Sequence, residues 1–319
     1  MIELARLWPT GSVDLWVTSP PYALGQPYLG GDAPDYESWL EAVRAWLAAM
    51  YALSNPDHGR LCLNVPLDRD LDGWRPVSAD VIRLATAEAG WRFRTWIVWD
   101  KNQAGAGTER GTVDSGSAPN VTAPVESILV FYRGAWSRPG PAAIEHADWL
   151  NLCGPRGLWR FPGVPGNELC PAPFPEELPR RCISLFSFPE DVVADPFCGL
   201  GTTLAVAARL GRVAWGNDRN ARCVAASQAW VRRERAARGG VRRAMDEAPP
   251  RARQAAVRPV DEPQQQSDCS VPNGRLGSLL PRSKRLGRGK DVCLAQLIPA
   301  RSEDPSRLRL FGVQLPFIR

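Results

Sequence analysis

Chemistry can be placed first at Thr18-Ser19-Pro20-Pro21-Tyr22. Two consecutive prolines fix their own φ and hold the residue before each in extended conformations, so the segment is a stiff corner. Neither proline has an N–H, which leaves carbonyl oxygens to accept hydrogen bonds from something else. The corner therefore presents the Ser19 hydroxyl, bare carbonyls and the flat ring of Tyr22 on one short segment. That set suits a planar base with an exocyclic amino group: the ring stacks on the base while the hydroxyl and a carbonyl accept from the NH2. A proline-rich turn with an exposed tyrosine is the plainer reading, and these five positions alone do not separate the two.

The second stretch able to do chemistry is Asp195-Pro196-Phe197-Cys198-Gly199-Leu200-Gly201-Thr202-Thr203, with Asp218 shortly after it. A strand pattern (191–194) precedes it, a helix pattern (204–210) follows, and Asp218 closes the next strand (212–216). In an open parallel sheet such a turn lies at the carboxyl edge, where ligands bind. The glycines let backbone approach a nucleoside or amino-acid moiety, and a carboxylate after the second strand can take both ribose hydroxyls. A dinucleotide turn would want a third glycine three residues after the second, where Leu204 stands. Asp195 would also repel a pyrophosphate. A cationic, amine-bearing ligand fits better, and S-adenosylmethionine carries both a sulfonium and an ammonium. The plainer alternative is a capping turn in a core strand–helix unit.

Elements to hold these two stretches can be read around them. Val13–Val17 is apolar and runs into the proline corner as a strand. Residues 35–53 carry Trp39, Leu40, Val43, Trp46, Leu47 and Met50 at helical spacing. Residues 59–65 and 125–132 read as buried strands, and 93–99 alternates as a third. Ser78 is placed to cap a helix over 79–89, which Gly90 ends. Residues 174–187 read as a helix opening on Glu176 and Glu177, acids that the helix dipole favours there. A final helix runs to about Arg235. Strands alternating with helices predict an α/β fold, a mostly parallel twisted sheet covered by helices on both faces. Residues 101–123 and 134–169 interrupt this pattern as long loops. Residues 236–319, rich in Arg, Pro and Gln and without apolar periodicity, read as a largely disordered tail.

Composition narrows the class. The 319 residues include 30 Pro and 13 Trp but are otherwise those of a globular protein. No apolar run is long enough to cross a membrane, and the first residues do not resemble a signal peptide, so a cytoplasmic protein is expected. The eight cysteines form no Cys-x-x-Cys pair and read as reduced thiols. With only His58 and His146, no histidine-based metal centre is expected. Residues 231–319 carry 19 Lys and Arg against 9 Asp and Glu, whereas residues 1–230 carry 20 against 25. The overall charge of +5 thus comes from the tail and says nothing about nucleic-acid binding by the body.

Taken together the motifs resemble a known family. Ser19-Pro20-Pro21-Tyr22 is similar to the catalytic motif of amino-methylating DNA methyltransferases, and Asp195 to Thr203 to their methyl-donor motif. Cys170-Pro171-Ala172-Pro173-Phe174-Pro175-Glu176-Glu177-Leu178 resembles the segment that precedes the donor motif and helps enclose the donor, except that Cys170 replaces the usual histidine. Catalytic motif first and donor motif last is the order of the β group, and the resemblance covers about residues 10–230. It implies a Rossmann-like methyltransferase domain (1–235), and S-adenosylmethionine held by Asp195, Pro196, Phe197, Gly199, Gly201, Thr202, Thr203, Asp218, Pro173 and Phe174. Ser19, Pro20, Pro21 and Tyr22 would grip a flipped-out base of double-stranded DNA. Serine in the first position points to the cytosine N4 amine; adenine N6, or a non-catalytic DNA-binding protein with a decayed donor site, are the alternatives. A partner restriction endonuclease is a further expectation of such enzymes. Target recognition is expected from the loops at 101–123 and 134–169, where Lys101, Arg110, Arg138, Arg156 and Arg160 are the candidate DNA contacts.

Overall fold

A computed structural model describes residues 8–22, 35–70, 73–101, 125–140, 146–154 and 157–247. In chain order these form β1 (Leu15–Thr18), α1 (Tyr36–Leu53), β2 (Arg60–Pro66), the short β3 (Arg69–Asp70) and β4 (Trp74–Arg75), α2 (Val77–Arg83), β5 (Arg92–Asp100) and β6 (Val125–Tyr132). Then come α3 (His146–Cys153), β7 (Leu158–Arg160), α4 (Glu177–Phe186), β8 (Val192–Asp195), α5 (Thr202–Arg209), β9 (Val213–Gly216) and α6 (Ala221–Glu247).

Seven strands form one sheet in the order β7-β5-β6-β2-β1-β8-β9. All are parallel except β6, which runs antiparallel between β5 and β2. Both faces are covered. On one side Trp16, Leu61, Leu63 and Phe131 pack against Trp39, Val43, Leu47 and Met50 of α1. On the other, Leu15, Val17, Cys62 and Val130 meet Leu178, Cys182 and Ile183 of α4 and Leu204 of α5. Successive residues of β1 and β2 thus serve opposite layers, as the pleat requires.

Local chemistry sets most of the element ends. Asp35 caps α1 by accepting from the Ser38 N–H at 2.7 Å. At the other end of α1, the Arg133 guanidinium donates to the carbonyls of Tyr51 (2.6 Å) and Ser54 (3.0 Å). Ser78 does not cap a helix. It is buried inside α2, donating to the Pro66 carbonyl and accepting from the Ser127 hydroxyl, each at 2.8 Å, so it ties α2 to β2 and β6. Residues Leu84–Glu88 continue α2 as a single π turn. α3 and β7 lie in a stretch without readable period, and α6 continues to Glu247, past the end expected near Arg235. The remainder of the proposed tail lies outside the described residues.

Order and direction fix where a ligand can sit. The chain leaves β1 toward β2 on one side and returns to β8 on the other, so helices diverge between β1 and β8. That gap is the switch point of the sheet, and the carboxyl ends of its strands carry both motifs.

Candidate active site

β1 and β8 are direct neighbours, with Leu15 opposite Val193 and Trp16 opposite Ala194. Two hydrogen bonds then join the motifs that follow them. Thr18 Oγ1 donates to Asp195 Oδ1 at 2.6 Å, and Thr203 Oγ1 donates to the Val17 carbonyl at 3.2 Å. All four residues are buried. The proline corner and the glycine turn therefore share one edge, although about half the chain separates them in sequence.

Asp195 is 1% exposed, and burial raises its carboxyl to about 6, against the pull of the Thr18 hydroxyl and the Phe197 N–H. Gly201 opens α5 at φ +94°, and a Cβ there would lie 2.1 Å from Ser227 Oγ, so no side chain fits. Asp218 Oδ2 accepts from the Gly199 N–H at 2.9 Å and Oδ1 from the Asn220 N–H at 2.8 Å, which locks the loop after β9 onto the turn. Each of these oxygens keeps a second lone pair for a ligand hydroxyl. Asn217 Oδ1, beside it, is buried without a partner among the described residues. Phe197 packs edge-on against Trp46 of α1, with centroids 4.8 Å apart. Pro196 is buried and Thr202 half-buried in the same turn. Cys170 stands against the turn, its sulfur 3.2 Å from where a Gly199 Cβ would be, and burial pushes its thiol pKa up. An uncharged thiol therefore occupies the position of the family's usual histidine.

The corner is less bare than its sequence suggests. The Pro21 carbonyl accepts from Trp39 Nε1 at 2.7 Å, so α1 pins the corner in place. The Pro20 carbonyl accepts from no described residue. Ser19 Oγ donates to the Tyr22 hydroxyl at 2.7 Å. Tyr22 is 8% exposed instead of standing free, because its hydroxyl is drawn toward Asn64 and Glu126.

Beside the corner lies a cavity of about 130 Å³. Ser19, Tyr22, Asn64, Lys101 and Glu126 supply its polar lining, and Trp99, Pro173 and Phe174 are among its apolar walls. Pro173 and Phe174, expected around the donor, border the space next to Ser19. Asn64 Nδ2 donates to Glu126 Oε2 at 2.6 Å, and Lys101 pairs with Glu126 Oε1. Sequence reading passed over Asn64 and Glu126. Each is a polar position in a largely apolar strand, and only the antiparallel pairing of β2 with β6 brings them together.

The five expected DNA contacts divide. Lys101 is in the cavity wall, half-buried on Glu126. Arg160, at the carboxyl end of β7, is 67% exposed and lies 3.3 Å from Asp100. Arg138 is elsewhere: it pairs with Asp191 at the amino edge of the sheet, 12% exposed, with its guanidinium over Phe188. Arg110 and Arg156 lie outside the described residues. Among the described residues no three His, Cys, Asp or Glu are grouped to hold a metal ion, and no helix is long and apolar enough to cross a membrane.

Comparison with known proteins agrees with this geometry. Residues 13–229 match the DNA methylase family of N6 and N4 methyltransferases. The type II methyltransferase M.MjaVI of Methanocaldococcus jannaschii is 40% identical over 167 residues, covering 50% of this chain and 82% of that protein. A DNA modification methylase of Thermus thermophilus, solved with S-adenosyl-L-methionine, superposes with a TM-score of 0.56 at 28% identity, covering 73% of this chain and 92% of the other. The cytosine-N4-specific PvuII DNA methyltransferase shares the fold, with a TM-score of 0.56 at 20% identity over 72% of this chain.

The residues present fit the methyl donor. Asp195 and Asp218 border a turn that no pyrophosphate would favour, Asn217 Oδ1 has no hydrogen-bond partner among the described residues, and Gly199 and Gly201 add no side chains of their own to the turn. When bound, S-adenosylmethionine supplies a methyl group made electrophilic by its sulfonium. With both motifs on one edge of a doubly covered sheet and the family match spanning most of the described residues, the chain belongs to the amino-methylating DNA methyltransferases, which use S-adenosylmethionine.

Proposed function

We propose that this methyltransferase acts at a specific site in double-stranded DNA and modifies the N4 amine of cytosine. The observation that carries the choice of base is Ser19. A neutral hydroxyl, not a carboxylate or an amide, stands first in the corner and lines the cavity, as in the cytosine-N4 group that the motif resembles.

A base inside the duplex cannot reach this cavity, so the target nucleotide is flipped out. Its exocyclic nitrogen is a poor nucleophile because the lone pair is delocalised into the ring. Ser19 Oγ already donates its proton to Tyr22, which turns its lone pairs toward an incoming N–H. The Pro20 carbonyl accepts the second N–H. Both contacts favour a pyramidal nitrogen with its lone pair freed, and Trp39 holds the corner still while in-line attack occurs. Tyr22, Trp99 and Phe174 supply aromatic surface for the ring. Arg160 supplies an exposed cation at this edge for DNA phosphates or guanine, with Arg110 and Arg156 proposed from sequence alone. Arg138 is withdrawn from the DNA surface because its charge is committed to Asp191 on the far edge. A cognate restriction endonuclease completes the proposed system.

Digestion of DNA methylated by the pure protein to nucleosides tests the base. N4-methylcytosine is expected, and N6-methyladenine as the sole product would assign the enzyme to the other branch of its family.

A further inference from the structure

Methylation of an amine leaves a surplus proton on the nitrogen, and the cavity contains a group placed to take it. Glu126 is the second residue of β6, and its side chain is 9% exposed. A carboxylate so enclosed must be paired to stay ionised. It is paired from three segments: Lys101 at the end of β5 binds Oε1, Asn64 of β2 donates to Oε2 at 2.6 Å, and the Tyr22 hydroxyl lies 3.4 Å from Oε2. Tyr22 in turn takes the Ser19 hydroxyl proton at 2.7 Å. The Tyr22 hydroxyl has two acceptors in reach, the Asn64 carbonyl at 3.1 Å and Glu126 Oε2 at 3.4 Å; with its proton turned to the carboxylate, the three oxygens Ser19 Oγ, Tyr22 Oη and Glu126 Oε2 lead from where the amine is gripped to a buried base.

The geometry points to Glu126 as the final acceptor of the amine proton, delivered through Ser19 and Tyr22. This rests on the amino-methylation reading but not on the choice of cytosine or adenine, since both amines shed one proton. As the N–CH3 bond forms, the S–CH3 bond breaks and its electron pair returns to sulfur. The nitrogen gives one proton to Ser19 Oγ, Ser19 passes its own to Tyr22, and Tyr22 passes its own to Glu126. The sulfonium charge and the carboxylate charge disappear together. Lys101 remains beside a neutral acid, so the total charge of the site is unchanged. Lys101 and Tyr22 are the titratable neighbours of Glu126 among the described lining residues; Asn64 is uncharged.

The test uses the full chain, genomic DNA and donor labelled in its methyl group. Rates are measured at saturating donor and DNA, and donor binding is measured by calorimetry without DNA. Glu126→Gln should lose about 100-fold in rate, the scale of a positioned proton acceptor, and keep donor affinity within twofold. Tyr22→Phe breaks the relay with Glu126 in place and should lose as much; it decides alone if Glu126→Gln no longer binds donor. The double variant should be no slower than the slower single one, because one relay is broken only once. Either single variant within about threefold of the wild type, or losses that multiply in the double variant, overturn the relay and leave Glu126 a positioning role only. If the wild type transfers no methyl group to DNA, the failure belongs to the parent reading and shows before any variant is made.

Discussion

Replacing Thr18 by Val tests the joint between the two motifs. The shapes match, so the change removes one hydroxyl from a buried site and little else. That hydroxyl donates at 2.6 Å to Asp195, a carboxylate 1% exposed. A hydrogen bond to a charged group contributes about 1.5–3 kcal/mol, and one between neutral partners about 1 kcal/mol. Burial raises the Asp195 carboxyl from 3.8 to about 6, so it is charged at pH 8 and mostly protonated at pH 5. The raised value also fixes the sign for the wild type. The folded state binds a proton more tightly than the unfolded chain, so the contribution of Asp195 is most favourable below pH 4 and is lost as pH rises through 6. A rise of that size corresponds to about 3 kcal/mol. Thr18 offsets part of that cost, and it does so chiefly where the carboxylate is charged. Thr18→Val should therefore cost about 2 kcal/mol at pH 8, a fall of about 4–8 °C in Tm, and about half that at pH 5. Calorimetric unfolding of both proteins at the two pH values measures it. Equal losses at pH 5 and pH 8, or no loss at either, would refute the idea that a charged Asp195 is held by the hydroxyl across the β1–β8 seam.

Other perturbations separate the roles assigned above. Arg138→Ala should lower stability by about 3 kcal/mol through the broken buried pair with Asp191, with DNA affinity unchanged in a filter-binding assay. Arg160→Ala should do the reverse, leaving Tm unchanged and reducing the slope of log affinity against log salt by about 0.9 if its exposed guanidinium meets one phosphate. Gly201→Ala forces a side chain into Ser227 at positive φ and should abolish donor binding by calorimetry. Trp39→Phe frees the Pro21 carbonyl and trims a core side chain; it should slow methyl transfer about tenfold by loosening the corner, with donor affinity intact.

Sequence carried the fold far because its signals are local. Val13–Val17 before two prolines, the helical spacing from Trp39 to Met50, and a glycine turn between strand and helix all act within a few residues. Ser78 shows where such reasoning stops. A serine before a helical pattern is a sound cap signal, yet Pro76 takes the end of the helix and Ser78 turns inward to Pro66 and Ser127. Tyr22 shows the same limit. Its ring was legible as a binding surface, but the partners that bury its hydroxyl come from β2 and β6, distant in sequence. α3 and β7 escaped because Trp159, fully buried and central to β7, stands among prolines and glycines that give no period. Arg138 and Arg160 looked alike as loop cations. Which edge of the sheet each reaches is a property of topology.

The seam between β1 and β8 has a consequence for how the enzyme comes into being. A ribosome releases the proline corner first, but one of the two neighbours of β1 lies nearly 180 residues later in the chain. Until β8 and its glycine turn emerge, the nascent protein lacks one side of the proposed site, so prematurely ended translation products should carry no methylating activity.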